Sequence, residues 1–180
     1  MKRTVFATPR AAEFLELQAL QVQTGQPVDA FGRVVVKELL DNALDAAESA
    51  GRAPVIEIEI ETEDSSEVAF VTVTDNGAGI TPQTVAGVCD FTVLASDKAR
   101  YRGPTRGAQG NALKTLLGIP AALGIDSPVI IDSEGMHHAV RIRTDGAGDV
   151  VVEHDTGPGR DEGTSVTVPP PAYLDTDVYR

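Results

Sequence analysis

The sequence predicts an α+β fold: a two-layer α/β sandwich with a mixed, mostly antiparallel sheet covered on one face by helices. Three observations predict it. Apolar residues in the first fifty positions recur at three-to-four spacing, the mark of amphipathic helices. The period then switches to two at VIEIEIE (55–61) and VAFVTVT (68–74). After a glycine-rich stretch, four more short strand-like runs follow, separated by glycine-containing turns. The 180 residues, 42% of them hydrophobic, suffice for one sizeable core, so residues 1–180 are expected to form a single domain.

In chain order, Thr8-Pro9 reads as a helix start, with proline at the first helical position. AAEFLELQALQVQ follows with Phe14, Leu15, Leu17, Leu20 and Val22 as its apolar side, and a connector runs from Gly25 to Gly32. Residues 1–32 are thus an N-terminal helix and connector. Val34 to Ala50 is the strongest helix: Val35, Val36, Leu39, Leu40, Ala43, Leu44 and Ala47 keep helical spacing, and Gly51 is a natural stop. Two antiparallel strands come next. Asp75 to Gly118 is rich in Gly, Thr and small residues and shows little strand character. SPVIID (127–132), MHHAVRIR (136–143), DVVVEH (149–154) and GTSVTV (163–168) complete the strands, and PPP (169–171) ends the pattern. No internal repeat and no second core are visible.

Composition narrows the function classes. No stretch approaches the ~18 uninterrupted apolar residues of a membrane span. MKRTVFATPR lacks the apolar segment of a secretory signal. One cysteine, Cys89, cannot make an internal disulfide, which fits a reducing compartment; a cytoplasmic protein is expected. Fifteen basic against 27 acidic residues leave a net charge of −12, so a broad DNA-binding face is not expected. The charge is unevenly spread. Ile56 to Glu67 holds six acids and no base, the expected solvent face of a strand and its turn. Ser96 to Lys114 holds five bases against one acid, Asp97. A basic, glycine-bearing island in an acidic chain points to a local anionic ligand.

Three constellations carry chemistry. Glu38 and Asn42 lie four apart, on one helix face at the margin of the buried stripe. A carboxylate there can take a proton from water, and an amide oxygen suits Mg²⁺; a solvated helix surface is the plainer reading. Asp75-Asn76-Gly77-Ala78-Gly79-Ile80 follows a strand. Asn-Gly alone would suit a hairpin, but Thr81-Pro82 starts a helix and TPQTVAGV does not alternate, which favours strand, glycine turn, helix. Asp75 is then a fixed acceptor beside backbone that a ligand can approach. Third, RGPTRGAQGNALKT (102–115) sets three glycines before an apolar helix, an arrangement that offers free N–H groups to phosphate; a flexible surface loop is its alternative. A Walker loop fails because Leu113 precedes Lys114, and a dinucleotide fingerprint fails at Pro82.

In this order, and with the late Gly163-Thr164 strand, the chain resembles the GHKL group of ATPases over nearly its whole length. Ala12-Glu13-Phe14, VVVKELLDNALDAAESAG (34–51), VTDNGAGI (73–80) and RGAQG (106–110) are most similar to the B subunit of DNA topoisomerase VI. The resemblance implies the Bergerat fold, with ATP and Mg²⁺ as cofactors. It implies that Glu38 is the general base, that Asn42 binds Mg²⁺, and that Asp75 accepts from the adenine amino group with support from Thr164. Gly77 and Gly79 would let the backbone pass the nucleotide, and Ile80 would pack on the base. Residues 81–118 would be the lid region, with Gly107, Gln109, Gly110, Asn111 and Lys114 over the phosphates; Lys114 is a candidate for the terminal phosphate. ATP-driven lid closure, an ATP-dependent homodimer and a DNA-cleaving subunit or domain are the implied partners.

Two departures qualify the carry-over. Asn111-Ala112-Leu113-Lys114 stands where the topoisomerase loop continues in glycine. A transducer domain with its lysine is expected to be absent from a chain ending at Arg180, so that either the chain is a fragment of a longer protein or its hydrolysis is slow or absent. The rival readings are a protein kinase of the same fold (histidine kinase or anti-sigma serine kinase) and a non-hydrolysing nucleotide-gated interaction module. Glu38, where histidine kinases usually carry Asn, favours hydrolysis. His137 and His138, neighbours on a strand, face opposite sides, so no zinc site is expected with His154. Cys89 is expected to be a small buried hydrophobe.

Overall fold

A computed structural model of the chain describes residues 12–63, 67–91, 102–103, 107–108, 112–144 and 150–169. The first expected helix is two: α1 (Ala12–Leu15) and α2 (Leu17–Thr24), broken at Glu16, whose backbone is extended. A 3₁₀ turn at Val28–Ala30 leads into α3 (Phe31–Ser49), which starts three residues before the expected Val34. Phe31, Val35, Leu39, Ala43 and Ala47 form its buried stripe.

β1 (Ile56–Glu63) and β2 (Glu67–Asp75) follow, then α4 (Pro82–Cys89). Within the glycine-rich stretch, β3 (Arg102–Gly103) pairs with β4 (Gly107–Ala108). Then come α5 (Ala112–Ala122), β5 (Val129–Ser133), β6 (Met136–Thr144), β7 (Val150–Pro158) and β8 (Thr164–Val168). The main sheet has the order β1-β2-β8-β5-β6-β7. Every pairing among the described strands is antiparallel, which corrects the expectation of a mixed sheet. The reason lies in β8, which enters between β2 and β5 and runs opposite to both.

Strand alternation explains the layering. Val71 and Val73, Val166 and Val168, Val129 and Ile131, Val140 and Ile142 are buried, in one core with Val35 and Leu39 of α3 and Leu116 and Ile119 of α5. Each such side chain gains about 1.5–3 kcal/mol on burial. The other face is polar and self-satisfied: Thr72 bonds Thr167 at 2.8 Å, and Thr74 donates to Ser165 at 2.9 Å. At the β1 edge Glu57, Glu59 and Glu61 are exposed, as the acidic run led one to expect. Ile58 and Ile60 are also exposed (47% and 42%), because α3 lies mainly over β2. Cys89 is half-buried against the core, and burial raises its thiol pKa. Among the described residues no helix is long and apolar enough to cross a membrane.

His137 and His138 do face opposite sides, yet both find partners. His137 Nδ1 lies 2.8 Å from Asp132 Oδ1, and buried His138 Nδ1 lies 2.9 Å from His154 Nε2. The second pair is diagonal across β6 and β7, a relation invisible in linear spacing. Burial, and then the neighbouring His154 and His137, hold His138 below its ordinary pKa of 6.5, with Asp132 acting the other way. The unfolded chain therefore binds the proton first. His138 contributes stability above pH 6.5 that is lost as the pH falls through its folded value. Urea midpoints are expected to drop between pH 7.5 and pH 5, and more steeply than in His138→Phe; parallel pH dependences would contradict this assignment.

Candidate functional site

The site grows from the last residue of β2. Asp75 is buried and stands in register with Thr164 of β8, which in turn faces Ser133 of β5, so one rung crosses three strands. Asp75 Oδ1 accepts from Gly77 N at 2.7 Å and from Thr164 N at 3.3 Å. The chain then turns into α4, whose cap is Thr81 Oγ1 accepting from Thr84 N. Strand, glycine turn, helix is the observed path, and no hairpin forms at Asn76-Gly77.

Ser133, fully buried, ties the rung together. Its hydroxyl accepts from Ile80 N at 2.8 Å, donates to Gly163 O at 3.0 Å and lies 3.1 Å from Thr164 Oγ1. Ile80 packs against the core edge. The sequence reading missed Ser133, because a serine at a strand end carries no local signal. Its role exists only once β5 and β8 are neighbours.

Gly77 shows why this turn needs glycine. A Cβ there would lie 2.4 Å from Ala46 Cβ on α3 and 2.9 Å from Asp75 Oδ1. The turn thus rests directly on α3. Gly79, with φ +93°, continues it in the left-handed region. From Ala46, Asn42 and Glu38 lie one and two turns back along the helix, about 6 and 12 Å of axial rise.

Glu38 is 27% exposed at its side chain, reachable by water and still held. Lys37 Nζ lies 3.4 Å from Glu38 Oε1 and 2.7 Å from Asp41 Oδ2, and the Asp41 bond is the chief reason the lysine pKa is raised. Asn42 is partly buried, and its Nδ2 has no hydrogen-bond partner among the described residues. Such an orphaned donor costs about 1–3 kcal/mol unless an acceptor outside the described residues completes it. No group of three His, Cys, Asp or Glu side chains among the described residues could hold a metal alone. The amide oxygen of Asn42 is a hard donor of the kind that Mg²⁺ takes, an ion that keeps few protein ligands and completes its shell with phosphate and water.

Of the expected lid residues, Gly107 is in β4, while Gln109, Gly110 and Asn111 lie outside the described residues. Lys114 differs from its expected position. It is 1% exposed, its ammonium donates to Asp90 O at 2.5 Å, and it lies 5.5 and 5.9 Å from the ring centres of Phe91 and Phe14. In this arrangement the core and the start of the lid region hold the cation, and it does not offer itself to a phosphate.

Residues 29–172 match the family described as histidine kinase-, DNA gyrase B-, and HSP90-like ATPase. The chain belongs to this family. A GHKL ATPase domain accounts for the one-sided helical layer and for the glycine turn resting on α3. The B subunit of the type 2 DNA topoisomerase 6 of Natronomonas pharaonis is 44% identical over 88 residues, which are 49% of this chain and 10% of that one. Its counterpart from Saccharolobus solfataricus is 34% identical over 129 residues, 71% of this chain and 24% of that one. The matches thus span a quarter or less of these relatives' lengths. A solved Aquifex aeolicus MutL ATPase domain complexed with ADP covers 85% of this chain and 45% of its own at 24% identity, with a TM-score of 0.41.

Proposed function

We propose that this GHKL domain binds Mg-ATP and hydrolyses it, in the manner of the ATPase region of topoisomerase VI. The observation that carries the reading is the Asp75 rung: a buried carboxylate, locked by Gly77 N and Thr164 N, beside a turn that rests on the helix bearing Asn42 and Glu38. Asp75 accepts from the adenine amino group, Thr164 supports the base through water, and Gly77 and Gly79 bring the backbone close to it. Ile80 packs against the ring. Asn42 holds the magnesium through its amide oxygen. Glu38 orients the attacking water and takes its proton. A magnesium held by Asn42 would supply charge neutralisation to the phosphates, and the rest of the catalysis is positioning. Gly107, Gln109, Gly110 and Asn111 cover the phosphates.

Charge supports this division of labour. An acidic domain with a net charge of −12 does not suit a broad DNA surface. DNA is cleaved by another subunit or domain, and ATP binding pairs two copies of this one. Glu38, in place of the asparagine of histidine kinases, favours water over a histidine side chain as acceptor, whereas anti-sigma serine kinases can carry Glu there.

Asp75→Asn tests the adenine reading. Calorimetry with ATP is expected to show at least about tenfold weaker binding, because the amide can turn a second donor toward the adenine amino group and loses the charge that strengthens the Gly77 bond. Unchanged ATP affinity in a folded variant would overturn the role of Asp75.

A further inference from the structure

The end of α3 aims one side chain at the nucleotide turn. Gly51 N bonds Glu48 O and Arg52 N bonds Ala47 O, both at 3.0 Å, and Gly51 takes φ +65° between them. This backbone cap leaves Arg52 with little freedom at its root. Its Nη1 donates to Asn76 O at 2.9 Å and to Gly77 O at 3.3 Å. Asn76 answers in the other direction: Oδ1 accepts from Val55 N and Nδ2 donates to Ala53 O, each at 3.0 Å. Four bonds therefore join residues 52–55 to the two residues that follow Asp75, and none belongs to a helix or a sheet ladder.

We propose that Arg52 and Asn76 are positioning residues for base recognition: an outer brace that sets where the Asp75–Gly77 turn stands relative to the adenine edge. The proposal rests on the reading of Asp75 as the adenine acceptor. The turn is tied by Asp75 Oδ1 to Gly77 N and stopped by Ala46 on α3, and the four bonds from residues 52–55 hold its two carbonyls and the Asn76 side chain. Residues 51–55 are exposed, so each bond competes with water and adds little to global stability. A hydrogen-bond pair that reads a base is far less tolerant, since misplacement by a fraction of an ångström weakens it steeply. The brace therefore acts on selectivity more than on folding. Neither residue needs to touch the nucleotide.

Affinities for ATP and GTP, measured by calorimetry on the full chain, test this. Arg52→Ala and Asn76→Ala are each expected to weaken ATP binding about tenfold and GTP binding less, so the ATP-to-GTP preference falls. The double variant should lose less than the product of the two, because both act on one turn. Arg52→Lys should recover part of the preference, since an ammonium still reaches one carbonyl. Asn76→Asp, which keeps the Val55 bond and loses the Ala53 donor, serves should the alanine variant not fold. Equal losses for both nucleotides, or a lower melting temperature at unchanged affinities, would reduce the brace to a structural tie and overturn the proposal. Asp75→Asn in the same assay separates the two levels. Preference lost there but kept in Arg52→Ala and Asn76→Ala sinks the brace alone; preference kept in Asp75→Asn sinks the adenine reading beneath it.

Discussion

Glu38→Gln is expected to lower ATP turnover by about 10²–10⁴-fold while Mg-ATP affinity stays within a few fold. Glutamine keeps the shape and the solvent position of the carboxylate and loses only the ability to take a proton. The surroundings should tolerate the change. Lys37 keeps Asp41 at 2.7 Å as its main partner, so no ammonium is stranded. Asn42, one turn away on the same ridge, retains its amide for the ligand. Glu38→Ala should show the same split, with a somewhat larger effect on turnover because the attacking water loses its orienting oxygen as well. Phosphate release and nucleotide binding must be measured on the same preparation. If both fall together in the glutamine variant, Glu38 is a ligand to the bound nucleotide complex and not the base that activates water.

Where the sequence was readable, the reasons are local. Val35, Leu39, Ala43 and Ala47 announce α3 because a helix buries one stripe, and the strict alternation of VIEIEIE announces a strand because a pleat has period two. Asp75-Asn76-Gly77 followed by Thr81-Pro82 distinguishes a strand-to-helix turn from a hairpin by cap chemistry alone. What stayed hidden depends on which strands become neighbours. Strand order places β8 between β2 and β5, and only then does Ser133 meet both Gly163 and Ile80; Thr164 is put beside Asp75 by the resemblance and not by any spacing. The His138–His154 pair is hidden for the same reason. Lys114 is expected over the phosphates only through the resemblance, and its place inside α5 does not show where the ammonium points. Its flexible stem allows the ammonium to turn inward, between Phe14 and Phe91, where a carbonyl receives it. Glu16 breaks the first helix although the apolar spacing runs through it, and that break has no counterpart in the periodicity.

Two glycines with nearly the same backbone make the second large prediction. Gly124 has φ +71° and Gly163 has φ +67°, so alanine at either pays the left-handed strain, about 1–2 kcal/mol. Their surroundings differ. Nothing lies within 4 Å of a Cβ at Gly124, whereas at Gly163 it would meet Asp75 O at 1.9 Å, Asp75 C at 3.0 Å and Asn76 Cα at 3.3 Å. These are backbone atoms at the end of β2 and of the residue after it, not the flexible end of a side chain. Relief requires β8 to move away from β2 where Thr164 N bonds Asp75. Overpacking of this kind adds roughly 1–3 kcal/mol or more to the strain. Gly163→Ala should therefore lose about 2–5 kcal/mol, a melting-temperature drop near 10 °C for a chain of this size, against a few degrees for Gly124→Ala. The functional consequence is sharper. At a temperature where both variants are folded, Gly163→Ala should bind ATP at least about tenfold more weakly, because the methyl displaces Asp75, the proposed adenine acceptor. Gly124→Ala should bind like the parent chain. Equal melting temperatures would mean that β8 approaches β2 less closely than described. A destabilised Gly163→Ala with full ATP affinity would uncouple this rung from the nucleotide.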